Sequence, residues 1–120
     1  MPRKQKRGYS PSALEEDLLI ALLGEDLYGL QLLEKVNQAR NKVGMKELGI
    51  GSLYPCLKRM EEAKLVRGEF RERVAGQDSP RRKYYKLLGL GETAISRTRE
   101  YRRLLAKEKE NIALPKGKKA

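Results

Sequence analysis

A chain of 120 residues without a single histidine offers little to acid–base catalysis. Histidine supplies the Ser–His and Cys–His nucleophile pairs and the usual general base near neutral pH. No isolated acidic pair stands out from the charged helix faces to replace it, so an enzyme is not expected and no catalytic residue is assigned. The lone Cys56 excludes an intramolecular disulfide and a multi-cysteine zinc site. Neither a metal nor a cofactor is expected. No apolar run approaches the ~20 residues needed to cross a bilayer. The basic start MPRKQKRGYS leads into an amphipathic helix rather than the apolar segment of a signal peptide, so a cytoplasmic protein with no membrane partner is expected. Acidic side chains are in deficit too, at 16 against 27 Lys and Arg, for a formal charge of +11 and a pI near 9.9. That excess is clustered, which favours a polyanionic partner and above all nucleic acid.

The length fits one domain with a modest core. Residues 1–9 form a basic arm with Arg3, Lys4, Lys6 and Arg7, too polar to bury and read as flexible. Ser10-Pro11 opens a first helix, Ser12 and Glu15 have capping-box spacing, and Leu14, Leu18, Leu19, Leu22 and Leu23 recur at helical intervals up to Gly24. Asp26 is the expected N-cap of a second helix over 27–39 with Leu30, Leu33 and Val36 inward, and residues 40–48 read as loop. A third helix is expected over 51–63. Beyond it the period changes to an imperfect alternation interrupted at Gly68. With turn chemistry in AGQDSP and a second strand in KYYKLL, residues 66–87 read as a β-hairpin. A long helix is expected over 92–113, ended by Pro115 and a basic tail over 115–120. Three helices followed by a hairpin is the order of a winged helix-turn-helix. The expected fold is therefore mainly α with a small β-hairpin: a winged-helix unit over 10–88 and a C-terminal helix over 89–114.

The stretch GIGSLYPCLKRMEEAKLV carries the chemistry. In a helix-turn-helix the second helix of the pair enters the major groove with its N-terminal residues toward bases and phosphates. Gly49, Gly51 and Ser52 let a phosphate backbone approach a helix start whose N–H groups favour anions, and Pro55 is tolerated only near such a start. Leu53, Leu57 and Met60 share one face and are assigned to the core, with Cys56 beside them. Gly51, Ser52, Tyr54, Pro55, Lys58 and Arg59 are the candidate contacts to double-stranded DNA. The bland alternative is a solvated face, given Glu61 and Glu62. The hairpin adds Arg71, Arg73, Arg81, Arg82 and Lys83 beside a flexible tip, suited to phosphates or a minor groove. Tyr84 and Tyr85 alternate, so one packs inward. Gly49-x-Gly51 and Gly89-x-Gly91 lack the context of a nucleotide-binding loop.

The last helix carries Ala94, Tyr101, Leu105 and Ile112 at spacings of seven, four and seven, with Ile95 and Leu104 alongside, and this stripe is read as a homodimer seam. The other possibility is that the helix folds back on its own core.

The sequence resembles the PadR-like transcriptional regulators, over about residues 18–91. The resemblance rests on GSLYPCLKRMEEAKLV, through Gly51, Leu53, Tyr54, Pro55, Leu57, Glu61, Leu65 and Val66, and on RRKYYKLLGLGE through Arg82, Lys83, Tyr84, Tyr85, Leu87 and Gly91. ALLGEDLYGLQLLEKV is similar to the family's second-helix start, with the pair in the order Tyr28-Gly29. The resemblance implies a homodimeric repressor on a palindromic promoter site, working at the nucleoid of a bacterium. Two features depart from the family. Leu88 stands where a Thr-like cap is usual, and there is no tryptophan of the kind some members use for planar ligands, so no such small-molecule effector is expected. Two other functions fit the composition: a non-specific nucleic-acid binder, and an interaction module that docks a partner through the long helix.

Overall fold

Helix α1 (Ala13–Ala21) starts where the capping spacing puts it. The Glu15 backbone N–H donates to the Ser12 hydroxyl at 3.1 Å, and the Ser12 N–H donates back to the Glu15 carboxylate at 2.9 Å. Two otherwise orphaned helix donors are satisfied in this way. The helix closes at Leu22, and Gly24 follows at φ +82°, a conformation that carries no Cβ penalty in glycine. This computed structural model describes residues 8–71 and 81–109.

The second helix departs from expectation. Leu27–Tyr28 forms a short strand, β1, and α2 spans Gly29–Lys42. Asp26 is not its cap, because its carboxylate accepts a 2.7 Å bond from Arg71; the Tyr28 N–H donates instead to the Gln31 side chain at 3.1 Å. A local cap has lost to a long-range pairing that buries Leu27. The inner stripe shifts accordingly: Leu32 and Val36 are buried and Leu33 is half-buried, while Leu30 is 52 % exposed. The helix also continues through residues 40–42, expected as loop, and the loop proper occupies 43–49.

Helix α3 (Ile50–Glu62) ends without glycine. Lys64 takes φ +64°, its N–H donates to the Glu61 carbonyl at 3.0 Å, and the Leu65 N–H donates to the Met60 carbonyl at 2.9 Å. This is the Schellman pattern, accompanied by burial of both Leu65 and Met60. It turns the chain into β2 (Val66–Arg71), which pairs antiparallel with β3 (Arg82–Leu87). With β1 added, the sheet has the order β1-β3-β2, one strand more than the expected hairpin.

Helix α4 (Gly89–Glu108) begins three residues before the expected Glu92, with no side-chain cap from Leu88. Gly91 lets the first turn pack closely, since a Cβ there would collide with the Leu65 carbonyl and the Leu87 side chain. One core joins all the layers. Leu18 and Leu19 of α1, Leu32 of α2, Leu53, Leu57 and Met60 of α3, and Leu65 are fully buried, with Tyr85 of β3 and Ala94 and Ile95 of α4 nearly so.

Candidate nucleic-acid interface

Helical periodicity divides α3 cleanly. Leu53, Cys56, Leu57 and Met60 have no exposed surface, whereas Gly51, Ser52, Tyr54, Pro55, Lys58 and Arg59 are all exposed. Pro55 sits in the second turn, on the open side. Gly49 is the extended residue that caps the helix, and a Cβ at Gly49 or Gly51 would meet nothing within 4 Å. The N-terminal end of α3 is therefore open to a close-approaching anion, whose charge its free N–H groups would favour.

Neighbouring elements fix the flanks of this face. Tyr54 lies over the start of α2, where the absence of a side chain at Gly29 makes room for its ring. On the opposite flank, the Arg59 Nε lies 3.8 Å from the buried Glu15 carboxylate, which also accepts the Tyr9 hydroxyl at 3.0 Å. Arg97 of α4 donates to the Tyr9 carbonyl at 3.4 Å, so the chain entering from the basic arm is held beside α3. Burial, reinforced by the bond to Glu15, pushes the Tyr9 hydroxyl above its ordinary pKa. Burial likewise raises the Cys56 thiol, a core group. Glu15 was legible only as a cap; nothing in its spacing pointed to Arg59.

The wing cations divide by strand parity. On the helix-facing side, the Lys83 ammonium donates to Glu61 of α3 at 3.1 Å across a shallow groove bordered by Tyr54, Lys58 and Tyr85. Gly68 makes this crossing possible, because a Cβ there would run into Lys83 and Glu61. The interruption of the strand pattern at Gly68 thus has a steric cause. Arg81 lies over the Phe70 ring at 5.0 Å. On the other side of the sheet, Arg71 is bound to Asp26 at 2.7 Å and lies 4.3 Å above Tyr84, and Arg82 lies 4.5 Å above Tyr28. The hydrogen bond to Asp26 raises the Arg71 pKa further. The two tyrosines meet edge to face at 5.3 Å. Of the tandem pair, Tyr85 is the buried one, as alternation requires. Lys83 therefore braces the wing against α3, while Arg71 and Arg82 lie on the opposite face.

The seam expected on the last helix also divides. Ala94 and Ile95 are 2 % and 3 % exposed inside this chain's own core, whereas Tyr101, Leu104 and Leu105 are 60 %, 47 % and 45 % exposed. Two candidates are used up within this chain, because the first turns of α4 close the winged unit. The Arg3, Lys4, Lys6, Arg7, Arg73 and Ile112 assignments lie outside the described residues. Among the described residues no cluster of acidic or cysteine side chains is placed to hold a metal ion, and no helix is long and apolar enough to cross a membrane.

Residues 18–97, which run from α1 into α4, match the transcriptional regulator PadR-like family. The chain belongs to that family. A PadR-like transcription factor from Bacteroides fragilis is 31 % identical, with a TM-score of 0.68 over 83 % of this chain and 89 % of that one. A PadR-like regulator from Bacillus cereus and a Streptococcus transcriptional regulator are each 27 % identical at a TM-score of 0.64, over 82 % of this chain and 89 % and 90 % of theirs. No curated protein sequence matches. As a PadR-like protein the chain is a DNA-binding regulator of transcription on a winged-helix fold.

Proposed function

We propose that this PadR-like chain is a homodimeric repressor that recognises a palindromic promoter site at the nucleoid. The observation that carries the proposal is the outer half of α4. Its apolar stripe outlasts the core: Ile95 is its last buried residue, and Tyr101, Leu104 and Leu105 follow in the open. Arg102 donates to the buried Glu16 of α1 at 2.7 Å, which holds this half-helix in a defined direction with its apolar side chains uncovered. An exposed apolar run on a fixed helix is a surface for association. Two-fold pairing would place two α3 helices about one helical turn, ~34–36 Å, apart, the geometry that a palindromic operator mirrors. Gly51, Ser52, Tyr54, Pro55, Lys58 and Arg59 would read the groove, while Arg81, Arg82 and the arm residues Arg3, Lys4, Lys6 and Arg7 would supply affinity for phosphates.

Sedimentation and promoter selection test this together. The parent should be a dimer at micromolar concentration and should enrich discrete genomic fragments over random DNA at physiological salt. Leu105→Glu should yield helical monomers that bind the selected palindrome far more weakly. A monomeric parent would defeat the dimer, and binding without enrichment would favour a non-specific role.

A further inference from the structure

The recognition helix and the wing tip leave the far side of the sheet unexplained. The antiparallel register sets Arg67 directly opposite Lys86 and Arg71 directly opposite Arg82. Because side chains alternate along a strand, these four share the face turned away from the helices, with Tyr28, Glu69 and Tyr84 among them. Like charges directly opposite on neighbouring strands repel. This small sheet carries two such pairs, compensated unequally. Arg71 has Asp26 at 2.7 Å and Glu69 at 3.4 Å. Arg82 has the face of Tyr28, which engages the plane of its guanidinium rather than the N–H edge that binds phosphate. Arg67 and Lys86 are exposed, and neither has an ion-pair partner among the described residues.

Protection of a sheet edge accounts for only half of the second pair. A charge on the terminal β2 serves that purpose, and Arg67 supplies it, but edge protection gives no reason for a second cation directly opposite at Lys86 of β3. The two cation rows are four residues apart, about 13 Å along the strands. That spacing suits an extended chain of negative charge better than one small anion. We propose that the outer face of the β1-β3-β2 sheet is a second phosphate track, which takes the sugar–phosphate backbone of the duplex beyond the segment held by the recognition helix. It rests on the DNA-binding function above and extends it. A polyanion laid across the rows replaces the cross-strand repulsion with attraction, so the sheet is completed electrostatically only when DNA is bound.

The test compares the parent with Arg67→Gln/Lys86→Gln on two duplexes carrying the same selected operator. One is trimmed to the protected segment, and the other is extended by several helical turns of random sequence. On the extended duplex the variant should bind more weakly, with a log–log salt slope shallower by about two units for each chain bound, since two phosphates per chain at ~0.9 each are no longer neutralised. On the trimmed duplex the two proteins should bind alike. The free variant should melt no lower than the parent, since the Arg67–Lys86 repulsion is gone, and this separates a weakened interface from a damaged fold. Equal slopes on the extended duplex overturn the proposal. An equal weakening on both duplexes also overturns it, by placing the pair in the main interface. A parent that selects no operator would instead undo the functional proposal, and the slope difference on random duplex would still decide the track.

Discussion

Lys58 and Lys83 border the same groove, yet only one of them is open to a ligand. Lys58 stands on the solvent side of α3 with no ion-pair partner among the described residues; Lys83 reaches from β3 to Glu61 at 3.1 Å. A helix assigns its faces by its own period, so Lys58 follows from the stripe of Leu53, Leu57 and Met60. A strand assigns only two faces. Which of them meets DNA, and which cation is already neutralised, depends on what lies across the groove. Density of basic residues is thus a poor guide to which wing cations are already paired.

The largest effect expected in this comparison lies beneath Lys58. Leu57→Ala should cost about 2–5 kcal/mol by emptying a fully buried site. Lys58→Ala, one residue away, should leave denaturant unfolding unchanged and weaken DNA binding. A melted Lys58 variant would mean that the two faces of α3 have been exchanged.

Two glycines sharpen the contrast between rigid and yielding neighbours. At Gly91 an added methyl meets the Leu65 carbonyl, which cannot swing aside, so Gly91→Ala should destabilise by about 1–3 kcal/mol. At Gly68 the obstacle is the flexible end of Lys83. There Gly68→Ala should dislodge the partly exposed Lys83–Glu61 pair for less than about 1 kcal/mol. Urea titrations of the two variants rank them directly, and a reversed order would show that the wing is braced more firmly than α4.

Salt dependence separates the wing cations from one another. Arg81→Ala/Arg82→Ala should flatten the log–log slope by roughly one unit for each phosphate left without its cation. Lys83→Ala should change it less, because Glu61 already neutralises that charge, and Glu61→Gln should steepen it by releasing Lys83. Equal slopes for the Lys83 and Arg81/Arg82 variants would remove the distinction drawn between Lys83, paired with Glu61, and the arginines stacked on Phe70 and Tyr28.

The smallest effect is chemical. Cys56, buried beneath the exposed side of α3, should react with thiol reagents only on unfolding. Burial raises the folded-state pKa of Cys56 and Tyr85 above their ordinary values, so both groups ionise more readily in the unfolded chain. Their contribution is fully present below the unfolded pKa values, near 9 and 10, and is lost as pH rises through the higher folded ones. Stability measured across that alkaline range should fall; a flat profile would place Cys56 and Tyr85 in contact with water.

The helices were legible where a period and a cap agreed, as in α1, whose Ser12–Glu15 box forms as its spacing predicts. They were misread where a local signal competed with a distant one. Asp26 has an excellent capping side chain just ahead of α2, but Arg71, 45 residues away in the chain, takes its carboxylate. Strand β1 is two residues long and carries no alternation to detect; it exists because Leu27 and Tyr28 find Tyr85 and Tyr84. The role of Glu15 against Arg59 was hidden for the same reason.

What the amino-acid sequence determined by itself is helix α3: its small-residue start, its buried stripe, its exposed side chains and its place in the element order. Interactions three and four residues apart suffice for that, and they are written in consecutive letters. Only the tertiary structure decided which wing cations are braced, stacked or left uncovered, and where α4 stops serving its own core. Those outcomes turn on pairings between residues far apart in the chain, such as Lys83 with Glu61 and Arg102 with Glu16. Charge complementarity and packing select them only after the backbone has brought the partners within a few ångströms.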